Sequence, residues 1–307
     1  MTMKSKLFTN KISVVLLALT VSLLWGSLFP IIKIGYGAFA IDTSNVGSVI
    51  TFAGLRFFVS GILLVVALGL KEKRFPSAQK GSVKAIVAVS MLTVVLHYAF
   101  TYTALSYIDS SKSSVLKQIG FLMLPCLIFL VRKDDRFSPR KAIAAILGFI
   151  AVVVINLDGM SLVFGVGEIL IIAASFTSAI GQVVSKYCYD VYSPASIVAW
   201  GQLFGGAVML GAGLILGGSF GKFDLESILV LAYIIAASIA ANLIWNTLIK
   251  YNDMSSLAVL KSADPLFASA FSGLLLSENI FKLPYLAALL LVVCAIALAN
   301  AKISKKR

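Results

Sequence analysis

The chain is poor in the residues that build enzymes and metal centres. Among 307 residues there is one histidine, His97, so a histidine-rich metal site is excluded. Its 3 cysteines, Cys126, Cys188 and Cys294, are odd in number and lie in or beside apolar runs. That excludes a disulfide framework and leads us to expect free, buried thiols. Charge is scarce as well, at 13% of residues, where soluble domains carry about 25%. No G-x-x-x-x-G-K-[ST] loop occurs, which argues against ATP-driven work by this polypeptide. Neither a His/Glu metal motif nor a G-x-S-x-G elbow is present. The chain is read as no enzyme, with no cofactor.

Apolar residues are plentiful instead: they make up 60% of the chain, and the mean hydropathy is +0.99. The net charge of +13 could suggest nucleic acid, but a binder would gather its basic residues on one solvated face. Here they sit in short connections between apolar runs, so the expected partner is a bilayer and not a polyanion. Ten runs approach the roughly 20 residues that a span requires: 12–33, 47–70, 83–106, 113–131, 140–157, 166–187, 195–217, 226–250, 255–276 and 284–302. The third is diluted by His97, Tyr98, Thr101, Tyr102 and Thr103. The first follows Lys4, Lys6 and Lys11, as in a signal peptide, but it is long enough to span and runs through Pro30 without a small-residue cleavage site.

Basic residues set the expected orientation. With the N-terminus inside, 19 Lys and Arg fall on the cytoplasmic side and 4 (Lys33, Lys112, Lys222 and Lys282) opposite, leaving Arg56, Lys117 and Lys261 in the membrane. The positive-inside rule then places both termini in the cytoplasm of a multi-pass inner-membrane protein.

The chain also repeats itself. A shift of 144 residues superimposes YIDSSKSSVLKQIGF (Tyr107 to Phe121) on YNDMSSLAVLKSADP (Tyr251 to Pro265), matching Tyr107 with Tyr251, Asp109 with Asp253 and Val115-Leu116-Lys117 with Val259-Leu260-Lys261. A fixed-period repeat is architectural. With five spans per half, the second copy must enter the membrane from the opposite side, as in many secondary transporters. The expected fold is all-α, ten transmembrane helices in two inverted five-helix repeats, 1–158 and 159–307.

Several short pieces, in order, resemble the drug/metabolite transporter superfamily with its EamA-type repeats. They are Trp25-Gly26-Ser27 with Lys33, Leu55-Arg56-Phe57, Tyr102-Thr103-Ala104-Leu105 with Tyr107, Gly167-Glu168, Ala258-Val259-Leu260 to Pro265-Leu266, and Glu278. The pattern departs at Phe121, which stands where the second copy has Pro265, with Pro125 a turn later, so the fourth span's break is expected to be displaced. Asp134 stands in the place of Glu278. A separate shift of 153 pairs Trp25 with Ser178 and Lys33 with Lys186. The resemblance implies an exporter of amino acids, amines or related metabolites, with its pocket between spans 1, 3, 4 and 6, 8, 9.

A buried charge at the bilayer centre costs on the order of 3 kcal/mol or more, so the intramembrane charges are the candidate site. Lys261 and Asp264 are i, i+3 and either neutralise each other or share Asp264 with Lys117. Lys117 either snorkels to the headgroups or faces the cavity and holds a carboxylate or phosphate. Tyr98 and Tyr102 in one half, and Asn242 and Asn246 in the other, form i, i+4 polar stripes that bond between helices or line a pocket. Trp25, Gln118 and Gln182 complete the candidate binding set, with Trp200 and Gln202 as pocket or packing residues. Asp264, His97 and Glu168 are candidates for proton coupling. Arg56 is expected to be a structural cation bonded to carbonyls or a carboxylate, and Gly205, Gly206, Gly211 and Gly213 to allow close helix approach. The function expected is alternating-access transport of a small polar metabolite such as an amino acid. The alternatives are a lipid or lipid-linked carrier flippase and a non-transporting membrane sensor or assembly subunit. A homodimer is one option for its assembly.

Overall fold

The computed structural model describes residues 7–73, 77–120, 164–252, 254–261, 263–280 and 282–300, with scattered positions between 123 and 162. Helix α1 (Lys11–Ala38) starts on an N-cap, Asn10, whose side chain accepts the Ile12 and Ser13 amides. These satisfy donors that a helix start leaves without partners. Helix α2 (Val46–Glu72) repeats the device with Asn45. Helix α3 (Val83–Leu105) crosses in one piece, but its middle turn, Met91–Leu96, is π-helical. Helix α4 (Ser110–Leu116) follows. A two-residue antiparallel pair, β1 (Leu157–Asp158) with β2 (Ser161–Leu162), lies between the halves. The second half holds α5 (Val166–Val191), α6 (Pro194–Ile215), α7 (Leu225–Tyr251), α8 (Met254–Lys261), α9 (Asp264–Leu276) and α10 (Leu283–Asn300).

Six of these helices, α1, α2, α3, α5, α6 and α7, are each long and apolar enough to cross a membrane. Their ends agree with the expected spans to within five residues. The ninth span is the pair α8 and α9, and the tenth is α10. The fifth span, Asp134 and Cys126 lie largely or wholly outside the described residues. The outer faces are apolar. On α2, Ile62, Leu63, Val66 and Leu70 are all exposed at helical spacing, a face suited to lipid. On α10, Tyr285, Ala288, Val292 and Ala295 are buried while Leu286 and Leu290 are exposed. The thiol expectation is corrected here. Cys188 is half-buried and Cys294 exposed, both free, because α10 turns Cys294 toward the apolar surroundings and not toward the core.

The repeats are inverted. Ser110 opens α4 and donates its amide to Glu278, just beyond α9, whereas Asn252, just before α8, bonds the Phe8 carbonyl ahead of α1. Equivalent segments therefore start at opposite ends of the bundle.

Helix α6 packs most extensively on α2, through glycine on both helices. A Cβ at Gly206 would lie 2.2 Å from the Phe58 nitrogen, and one at Gly54 2.3 Å from the Leu210 nitrogen. Small residues bring two helix backbones into direct contact where lipid offers no hydrophobic drive. Gly213 serves the same approach and Gly205 lets α6 close on Ser90 and Val94 of α3, but Gly211 does neither: nothing lies within 4 Å of a Cβ built there.

Candidate functional site

The site is organised by two interrupted helices. Helix α8 ends at Lys261 and α9 begins at Asp264. Between them the Ala263 amide donates to the Leu260 carbonyl at 3.3 Å, a three-residue spacing, and Pro265 has no amide to continue the ladder. Lys261 thus sits at the negative end of α8. It is 1% exposed; its Nζ donates to Asp264 Oδ2 and stands 3.9 Å from the Trp25 ring centroid and 5.1 Å from that of Trp245. The two indoles meet edge-on with centroids 5.8 Å apart. Gly26 makes this assembly accessible to α1, since a Cβ there would lie 2.7 Å from Phe267 Cβ and 2.9 Å from the Ala268 nitrogen.

Lys117 occupies the same place in the first repeat, directly after α4. The helix tightens there too: Gln118 donates to Val115 at 3.1 Å and Gly120 to Lys117 at 3.2 Å. This interruption keeps the register of the second copy without a proline; the displaced break expected near Pro125 lies outside the described residues. Ser114 gives a reason, because its hydroxyl bonds the Ser111 carbonyl at 2.7 Å and so competes with the helix ladder.

The two lysines then differ. The residue equivalent to Asp264 is Gly120, and a Cβ there would already lie 2.7 Å from the Ser175 carbonyl oxygen. No carboxylate can be placed beside Lys117 in that manner. Its Nζ lies 5.1 Å from the Phe29 ring centroid and 5.5 Å from that of Tyr98, and no acceptor among the described residues bonds it. Among the described residues Asp264 is ion-paired with Lys261, and Lys117 points into the protein, not toward the headgroups.

Both breaks open on a cavity of about 1000 Å³, counting the open space at its mouth. It receives Trp25, Arg56, His97, Tyr98, Lys117, Gln118, Gln182, Asn242, Asn246, Lys261 and Asp264, so most of the residues singled out by sequence converge there. Two do not. Tyr102 is fully buried and accepts a bond from Arg56 at 2.5 Å, outside the lining. Glu168 holds Lys112 at 2.5 Å and accepts the Gly165 amide at 2.9 Å. Arg56 also departs from expectation: it bonds hydroxyls, Ser238 at 2.9 Å and Tyr102, with the Phe57 ring 4.6 Å away. No carbonyl or carboxylate partner of Arg56 appears among the described residues. His97 Nδ1 donates to the Ala174 carbonyl at 2.8 Å, which leaves Nε2 as the acceptor of the neutral ring.

Sequence reasoning missed Trp245, Phe29 and the serines 114, 175, 178 and 185, all of them in the lining. Trp245 had a signal in its spacing, one turn from Asn242 and adjacent to Asn246, and Ser178 had one in the 153-residue shift that pairs it with Trp25; Phe29 and the other serines had none. Trp200 packs in the apolar core, and Gln202 faces a second cavity. Trp25 Nε1 and Gln118 Oε1 are buried without a hydrogen-bond partner among the described residues.

The cavity is tied at both ends, at one of them by bonds between the repeats and at the other by bonds within the second. At one end Glu278 accepts the Ser110 and Ser111 amides at 2.9 and 3.0 Å and the Ser111 hydroxyl at 2.6 Å, with Lys33 Nζ 3.9 Å away. At the other, Lys186 Nζ donates to the carbonyls of Ile249, Lys250 and Asn252 at 2.5, 3.2 and 3.0 Å. These are the lysines that the 153-residue shift pairs.

A bundle of apolar helices in two inverted halves, enclosing a polar chamber and tied at both ends, defines a multi-pass membrane transporter. The sequence signature of the EamA-like transporter family matches residues 12–157 and again 165–301, and the chain belongs to that family. It is similar to an uncharacterized transporter of Archaeoglobus fulgidus, 27% identical over 285 residues that cover 90% of this chain and 82% of the relative. A relative from Escherichia coli K12, named "Probable amino-acid metabolite efflux pump", is 27% identical over 290 residues, 90% of this chain and 91% of its own. A protein of known crystal structure superposes with a TM-score of 0.70 at 18% identity, covering 96% of this chain and 99% of that one, which supports the fold.

Proposed function

We propose that this transporter exports a small zwitterion, an amino acid or close relative, across the cell inner membrane, with both termini in the cytoplasm. The observation that carries the reading is Lys117: an ammonium facing the cavity, with Gly120 where the other repeat has its carboxylate. A substrate carboxylate completes it. Asp264 on the facing repeat offers the complementary charge for an amino group, and Trp25, Leu28, Phe29 and Ile32 provide apolar walls. The name of the Escherichia coli relative points to the same substrate class.

The halves 1–158 and 159–307 act as lobes in alternating access: releasing Glu278 from Ser110 and Ser111 opens one end, and releasing Asn252 from the Phe8 carbonyl opens the other. Of the proton-coupling candidates, Asp264 and His97 line the cavity, whereas Glu168 is occupied by Lys112 outside it.

A counterflow screen of purified protein in liposomes tests this, with amino acids, organic acids, amines and a labelled lipid at two pH values. Uptake of amino acids, lost in Lys117→Met, is the expected result. Lipid scrambling without movement of any amino acid would overturn it.

A further inference from the structure

Beside the main chamber lies a smaller cavity of about 330 Å³, again counting open space at its mouth. Thr93, Tyr98, Asn242 and Asn246 belong to the lining of both, so the two spaces share a wall. Gln202 of α6 lines only the smaller one. It is 2% exposed, and neither its Oε1 nor its Nε2 has a hydrogen-bond partner among the described residues. A carboxamide brings two donors and an acceptor, and leaving a buried polar group unpaired costs about 1–3 kcal/mol. An occupant that pairs with Gln202 removes that cost.

Several of the surrounding polar groups are already engaged. Ser90 Oγ donates to the Gly201 carbonyl at 2.6 Å and Thr93 Oγ1 to Val89 at 2.8 Å. Asn242 Nδ2 donates to Ser238 at 2.9 Å, Asn246 Nδ2 to Asn242 at 2.8 Å, and Asn246 Oδ1 accepts from Tyr189 at 2.5 Å. Gln202 has both polar atoms unpartnered among the described residues, so recognition rests on its carboxamide, with the Tyr98 hydroxyl and Asn242 Oδ1 beside it. No charged side chain among the described residues lines this cavity, so it suits a neutral polar group and not a carboxylate or an ammonium. The π-helical turn of α3 forms part of the same wall through Thr93 and Val94, and such turns recur at functional sites.

We propose that this cavity is a specificity subsite for a neutral, hydrogen-bonding side-chain tip, a carboxamide above all, on a substrate whose charged end is held in the main chamber. A carboxamide and Gln202 satisfy each other by reciprocal N–H to C=O bonds. The inference rests on the zwitterion reading given above.

The test compares glutamine with leucine, similar in size and different at the tip, in proteoliposome counterflow with wild type and Gln202→Leu. Glutamine should lose at least about tenfold in kcat/KM while leucine stays within about twofold, since a site built to hydrogen-bond rejects what cannot complete the bond. Gln202→Met should give the same pattern and serves if the leucine variant does not fold. Equal effects on both substrates, or none on either, would overturn the subsite and leave a cavity that holds only water. A wild-type protein that moves leucine but not glutamine also overturns it. A wild-type protein that moves neither overturns the zwitterion reading, and the subsite with it.

Discussion

Lys117→Met separates recognition from stability. Methionine keeps the unbranched length of lysine and removes the charge. Lys117 touches the Phe29 and Tyr98 rings and bonds no acceptor among the described residues, so the substitution orphans none of the partners seen there. Thermal unfolding in detergent should therefore be unchanged or shifted upward, because an ammonium no longer has to be kept away from water. Binding should suffer. A hydrogen bond to a charged group is worth about 1.5–3 kcal/mol, and about 1.4 kcal/mol is a factor of ten, so KM for an amino acid should rise roughly 10- to 150-fold. The same variant should handle the decarboxylated amine analogue as the wild type does. Counterflow of leucine and isopentylamine, side by side in proteoliposomes, reads both outcomes. Equal losses for the two substrates would refute the pairing of Lys117 with a carboxylate. So would an unchanged KM for leucine.

Other consequences are as direct. Removing one partner of a buried ion pair costs about 3–5 kcal/mol, but replacing both by apolar groups does not. Asp264→Leu should therefore lower the unfolding temperature sharply, and Lys261→Met/Asp264→Leu should restore it without restoring flux. At the α2 and α6 contact, Gly206→Ala should destabilise by about 1–3 kcal/mol through overpacking, while Gly211→Ala, which meets nothing within 4 Å, should stabilise by up to about 1 kcal/mol through helix propensity; thermal melts compare the two. Glu278→Gln weakens the tie to Ser110 and Ser111, because charge-assisted bonds are about twice as strong as neutral ones. A cysteine at position 32 should then react faster with an impermeant maleimide, and an unchanged rate would detach Glu278 from gating. Cysteines replacing the exposed pair Tyr107 and Tyr251 should label from opposite faces of the membrane; labelling from one face would contradict the inverted insertion.

Much of this was legible in the chain itself. Hydropathy gives spans because a bilayer core demands a minimum apolar length and internal backbone pairing, so α1, α2, α3, α5, α6 and α7 lie where the runs predict. The repeat of Tyr107–Lys117 in Tyr251–Lys261 pointed to the same helix-turn-helix element in each half, and the isolated charges marked the chamber because burial of charge needs a cause. What the chain could not show is how side chains are shared between distant helices. Spacing cannot reveal that Gly120 rests against the Ser175 carbonyl and leaves its lysine without a carboxylate, or that Tyr102 turns from the chamber to hold Arg56. Nor can it show that Glu278 caps a helix of the other repeat, or that Gln202 faces a separate space. Periodicity fixes which face of one helix a residue occupies; what lies opposite depends on crossing geometry, which only the packed bundle defines.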